Sequence, residues 1–133
     1  MKTSFHDRKI RWGIIGLGNI ANKFVADLLT VNDAELYAVA SRTQEKATAF
    51  ALKYHAEKAY GCYEDLVSDP NIDAVYIATP HSFHKENTLL CLEHGIAVLC
   101  EKPFAMHADE VKTMNSKAKE KNVLWESISA LQK

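Results

Sequence analysis

The stretch IRWGIIGLGNIANKFVADLL, residues 10–29, decides the fold. Ile10–Ile15 is a short apolar run that stops at Gly16 and Gly18. From Ile20 the apolar residues come in pairs, Ile20/Ala21, Phe24/Val25 and Leu28/Leu29, a spacing that lays one broad stripe along a helix. Strand, glycine turn and helix follow in that order. Within the turn, Gly16-Leu17-Gly18-Asn19-Ile20-Ala21 has the form G-x-G-x-x-A. Gly16 permits the tight turn, Gly18 lets a diphosphate approach the backbone, and Ala21 is small enough for the helix to pack on the strand. Free amides at the helix start would face the phosphates. No Gly-Lys-Ser/Thr follows, so the turn is not a P-loop.

Outward from this unit the same alternation repeats. Asn32-Asp33 turns into a strand over Ala34–Ala40, and Thr43 is an N-cap for a helix whose inner face is Ala47, Phe50, Ala51 and Tyr54. Lys58–Tyr60 is a weak strand and Tyr63–Val67 a short helix that Asp69-Pro70-Asn71 terminates. Residues 74–78 form an apolar strand. Residues 84–94 form a helix with Leu89, Leu90 and Leu92 inward and Gly95 in the capping position, and residues 96–100 form the next strand. Ala108, Val111, Met114 and Ala118 mark another amphipathic helix, and residues 123–125 begin a sixth strand. Strands apolar on both faces and alternating with helices predict a doubly wound α/β domain with a parallel sheet, the Rossmann dinucleotide-binding fold.

The composition narrows the function. The 133 residues suit one domain, and 47% hydrophobic against 25% charged residues excludes disorder. A net charge of -1 gives no field for a nucleic-acid backbone or an anionic membrane, so neither is an expected partner. No apolar run approaches the roughly 18 residues of a bilayer span, and the polar start lacks the apolar stretch of a secretory signal. Cys62, Cys91 and Cys100 are odd in number and lie in or beside apolar runs, which fits a reducing compartment and a cytoplasmic protein.

Ligands of open α/β sheets lie beyond the carboxyl ends of the strands. The second strand ends at Ser41-Arg42, where an NAD site usually places an acid, whereas Asp33 and Glu35 sit at the opposite end. A hydroxyl followed by a guanidinium suits a 2'-phosphate, which favours NADP over NAD, and Lys46 one turn on can add a second cation. Thr79-Pro80-His81 forms the floor of the crevice. His81 and His84 are three apart with Glu86 nearby, but a lone H-x-x-H with one acid is usually surface chemistry or a helix cap, and no metal is expected. Glu101-Lys102-Pro103 places a lysine at the end of a buried strand, where it can donate to a substrate oxygen. A charge pair without catalytic role is the alternative there. Cys100 beside it is a core residue rather than a nucleophile.

The set GLGNIA, SR, ATPHSFH and CEKPFA, in that order, resembles the N-terminal half of the Gfo/Idh/MocA oxidoreductases, over essentially the whole chain and nearest to their dihydrodiol and sugar dehydrogenase branch. The resemblance implies that Gly16, Gly18, Asn19 and Ile20 contact the cofactor diphosphate. It also implies that Ser41 and Arg42 contact the adenosine ribose or its phosphate, and that Thr79, Pro80 and His84 line the cleft. Lys102 matches the family's substrate-orienting lysine and Glu101 its neighbour. Implied activity is hydride transfer between NADP or NAD and a hydroxyl carbon of a sugar, polyol or cyclic diol.

Family members continue into a second α/β domain that supplies most of the substrate pocket, and nothing after Trp125 matches it. Residues 1–126 are therefore expected to form the cofactor-binding domain and residues 127–133 a tail. The expected origin is a truncated gene or an excised fragment, which binds the dinucleotide and takes a small polyhydroxylated substrate only when a second domain is supplied. The alternative is a non-catalytic dinucleotide-binding or redox-sensing module. Leu124, Trp125 and Ile128 on an uncovered sixth strand offer a route to homo-oligomers.

Overall fold

A strand that is apolar on both sides needs cover on both sides, and this chain provides it with helices from alternating crossovers. The computed structural model describes residues 9–79, 83–101, 108–121 and 125–128; for residues 84, 100, 101, 108–111, 114, 115 and 125–128 it describes the backbone alone. The elements are β1 (Ile10–Ile15), α1 (Asn19–Leu28), β2 (Ala34–Ala40), α2 (Gln44–Tyr54), β3 (Lys58–Tyr60), α3 (Tyr63–Val67), β4 (Ala74–Ile77), α4 (His84–Glu93), β5 (Ala97–Glu101), α5 (Ala108–Lys121) and β6 (Trp125–Ile128). The six strands are all parallel, in the order β3-β2-β1-β4-β5-β6. The doubly wound Rossmann fold is thus present, with β1 at its centre. Among the described residues no helix is long and apolar enough to cross a membrane.

Alternation along the strands divides the core in two. Ile14, Val39 and Tyr76 face α1 and α2, where they meet Ala21, Val25, Leu28, Ala47, Phe50 and Ala51. Ile15, Ala38, Ala40, Val75, Ile77 and Val98 face the other way, onto Leu66 and Val67 of α3, Cys91 and Leu92 of α4 and Ala118 of α5. Phe24 lies flat on Tyr76, with centroids 3.8 Å apart and planes 1° apart, and Trp12 meets its edge at 5.5 Å. Such pairs each add about 0.5–1.5 kcal/mol beyond their buried area.

Local chemistry sets the boundaries. The Thr43 hydroxyl accepts from Lys46 N–H at 3.3 Å and caps α2 as its sequence position predicts. At the end of α4, Gly95 has φ +71° and its N–H donates to Leu92 O at 3.0 Å, while Ile96 N–H donates to Cys91 O at 3.1 Å. This is the paired bonding of a Schellman cap. It takes Ile96 out of the sheet, so β5 starts at Ala97, one residue later than the apolar run suggests. The inner stripe of α4 includes Leu92 and, packed against the core, Leu90 as expected, and differs at Leu89. Thr88, Cys91 and Leu92, with Asn87, are buried, whereas Leu89 is half-exposed. The i, i+3, i+4 spacing of positions 88, 91 and 92 governs, not the local density of leucines.

A polar cluster ties the segment after α3 to β3 and β2. Tyr60 Oη donates to Asp69 Oδ2 at 2.6 Å and Tyr37 Oη to the same oxygen at 3.0 Å, while Asn71 N–H donates to Asp69 Oδ1 at 2.9 Å. Burial works to raise the Asp69 carboxyl, but these three donors and the Lys58 charge outweigh it and hold the group below its ordinary value. Burial, then the bond to the carboxylate, pushes the Tyr60 phenol up. A carboxyl depressed in the folded state contributes stability above its unfolded pKa and loses it as pH falls through the folded value. Asp69→Asn is therefore expected to destabilise the protein at pH 7 by about 1–3 kcal/mol. The difference from the parent shrinks as pH falls through and below the ordinary carboxylate range, read from urea midpoints measured at successive pH values.

Candidate functional site

Because all strands are parallel, the segments after β1, β2, β4 and β5 emerge on one edge of the sheet. The chain leaves β1 toward β2 on one side while β4 lies on the other, so the connections diverge and a crevice opens over the end of β1. Gly16 sits at this point. Its N–H donates to Ala40 O at 3.2 Å, and beside it Ala78 N–H donates to Ile15 O at 2.8 Å. Gly16 has φ +89°, and a Cβ there would lie 2.9 Å from both Thr79 N and Thr79 Cγ2 and 3.0 Å from Ala78 C. Both the left-handed backbone and the close approach of β4 require glycine.

Gly18 is glycine for a different reason. It is the N-cap of α1, with extended backbone, and among the described residues nothing lies within 4 Å of a Cβ built on it. The protein leaves room directly in front of the helix start. Among the described residues no side chain caps α1, and no acid stands in its first turn. Asn19 and Ile20 follow, both exposed, Ile20 at 39% despite its apolar side chain, whereas Ala21 is fully buried under the helix. An uncapped helix start with open space before it fits a dinucleotide diphosphate.

The flanking residues divide into two groups. Ser41, buried at the end of β2, donates its N–H to Tyr60 O at 3.1 Å; the next residue, Arg42, is exposed. The Arg42 guanidinium lies 4.7 Å above the centroid of the Phe83 ring. Both residues line a cleft of about 360 Å³, together with Gly61, Cys62, Tyr63, Glu64, Glu86 and Asn87. Lys46 is exposed in the first turn of α2. On the β4 side, Thr79 is buried and its hydroxyl accepts from Asn87 Nδ2 at 2.9 Å. Pro80, His81 and Lys102 lie outside the described residues, as do the side chains of His84, which opens α4, and Glu101, which ends β5. The structure thus gathers Gly16, Gly18 and Thr79 about the crevice and sets Arg42 beside the cleft.

Residues 10–127 match the Gfo/Idh/MocA oxidoreductase family, described by its NAD-binding Rossmann fold. The chain belongs to this family. As a Gfo/Idh/MocA Rossmann domain it is 48% identical over 122 residues to the trans-1,2-dihydrobenzene-1,2-diol dehydrogenase of Mus musculus, a match covering 90% of this chain and 37% of that protein. The enzyme of the same name from Homo sapiens is 43% identical over 122 residues, covering 90% and 36%. Among solved structures, a 3-ketoreductase from Actinomadura kijaniata in complex with TDP-benzene and NADP aligns with TM-score 0.85 and 28% identity over 90% of this chain and 38% of that one. Myo-inositol 2-dehydrogenase from Lactobacillus plantarum aligns with TM-score 0.79 and 29% identity, covering 90% and 36%. The chain spans little more than a third of the length of these relatives.

The contacts of Phe83 with Arg42 and of Asn87 with Thr79 escape a sequence reading. Asn87 carried one signal, a polar residue next to Thr88 on the inward side of α4, three residues after His84. Phe83 carried none, since its partner Arg42 is far away in sequence. The two turn glycines are expected to respond differently to substitution. Gly16→Ala loses about 2–4 kcal/mol through backbone strain and collision with the Thr79 amide. Gly18→Ala loses less than about 1 kcal/mol, and thermal melting of both variants distinguishes the two.

Proposed function

We propose that this chain is the cofactor-binding part of an NAD(P)-dependent dehydrogenase, with residues 1–126 as the Rossmann domain, acting on a hydroxyl carbon of a cyclic diol, sugar or polyol. The open space in front of Gly18, at an uncapped helix start over the sheet's switch point, carries this proposal. The relatives named as dihydrodiol dehydrogenases support the substrate class. The odd number of cysteines, each in or beside an apolar run, supports a reducing, cytoplasmic setting.

Each residue has a distinct task. Gly16 turns the chain, Gly18 admits the diphosphate, and the amides of Asn19 and Ile20 donate to it. Thr79, fixed by Asn87, shapes the wall opposite the glycine turn, and Pro80, His84 and Glu101 extend the cleft toward the nicotinamide end. Arg42 meets the 2'-phosphate of NADP, with Phe83 holding the guanidinium flat, Ser41 beside it and Lys46 adding charge, and no acid at the end of β2 competes for a 2'-hydroxyl. When bound, the nicotinamide supplies or accepts the hydride. Lys102 orients the substrate oxygen by donating to it. Turnover needs both reactants held in one cleft, so efficient reaction is expected of a polypeptide that also walls the substrate.

Titration of the chain with NADPH and NADH tests this directly. Arg42→Ala is expected to weaken NADPH by about 10- to 100-fold while leaving NADH unchanged. Equal effects on the two cofactors would remove the phosphate assignment, and failure of the parent chain to bind either would remove the proposal itself.

A further inference from the structure

The Asn22 side chain joins the start of α1 to the end of α2. Its Nδ2 donates to Gly18 O at 3.1 Å, the same carbonyl that accepts the helical bond from Asn22 N–H at 3.3 Å. Its Oδ1 accepts from Tyr54 Oη at 2.5 Å and from Lys53 Nζ at 3.2 Å. Lys53 in turn sits 5.2 Å above the Tyr54 ring centroid. Both lobes of the amide are engaged, and a rotation about its last bond would break contacts on each side.

The consequence falls on the turn. The Gly18 carbonyl and the Asn19 N–H belong to one planar trans peptide and point in opposite directions. A carbonyl held from two donors inside the helix therefore aims the Asn19 N–H outward, into the space that Gly18 leaves open. The same side chain links the turn to the Lys53 ammonium, which favours an anion there.

We propose that Asn22 is a positioning residue for the cofactor diphosphate, held in place by Tyr54 and Lys53. The inference rests on the dinucleotide reading above and adds to it a residue outside the G-x-G-x-x-A turn. It acts through the Asn19 peptide and touches no cofactor atom itself.

The test compares NADP+ with 2'-AMP, which carries the adenosine and 2'-phosphate but no diphosphate, by calorimetric titration of the parent chain, Asn22→Leu and Tyr54→Phe. Asn22→Leu is expected to weaken NADP+ about tenfold and Tyr54→Phe about threefold, with 2'-AMP binding unchanged. Tyr54→Phe removes one oxygen from a half-exposed side chain and keeps the fold testable should Asn22→Leu melt early. Unchanged NADP+ affinity in both variants, or equal weakening of both ligands, would overturn the positioning role while leaving the dinucleotide reading intact. A parent chain that binds neither NADP+ nor NAD+ overturns both.

Discussion

The close passage of Gly16 against the start of the β4 exit governs this structure. A backbone approach below 3 Å from any Cβ position leaves no alternative to glycine, and it occurs where the central strand hands over to its helix. Because β1 pairs with β2 on one side and β4 on the other, any shift at Gly16 moves two ladders together. This passage holds Thr79 close on one side of the crevice, and α1 departs on the other from the open position at Gly18. Fold and binding surface thus share one constraint, placed two residues from the open helix start.

Most of the architecture was legible because the signals are local. Ile10–Ile15 followed by glycines, the paired apolar residues of α1 and the Thr43 cap each depend on neighbours within a turn or two, and each reappears in the structure. Boundaries moved where a local competitor intervened, as at Ile96, whose N–H is taken by the α4 cap before the sheet can use it. The inner stripe of α4 matches its leucines at Leu90 and Leu92 but not at Leu89, because Thr88 and Cys91, spaced i, i+3, turn inward instead.

The site divides along the same line. Gly16, Gly18 and the cation after β2 are punctuation within the chain and can be read from it. Phe83 beneath Arg42, Asn87 on Thr79 and Tyr54 on Asn22 are pairings between distant elements, and periodicity contains no information about which polar side chains meet. Electrostatics shows the contrast. A net charge of -1 says little, yet Arg42 stands at the cleft beside the crevice and Lys53 is tied by one side chain to the glycine turn.

The placement of β4 beside β1 also bears on the order in which the chain assembles. Arg11 N–H donates to the Asp73 carboxylate at 2.8 Å and Asp73 N–H returns a bond to Arg11 O at 2.9 Å, a contact between residues 62 apart in sequence. During synthesis from the N-terminus, β1, β2 and β3 with their two helices leave the ribosome first and can condense as one half. Until residues 72–77 emerge, the long flank of β1 presents unpaired backbone beside Ile15. The central strand therefore waits for β4 before it is paired on both sides, later than β2, and a pause before Asp73 would prolong the interval in which that flank can capture another strand.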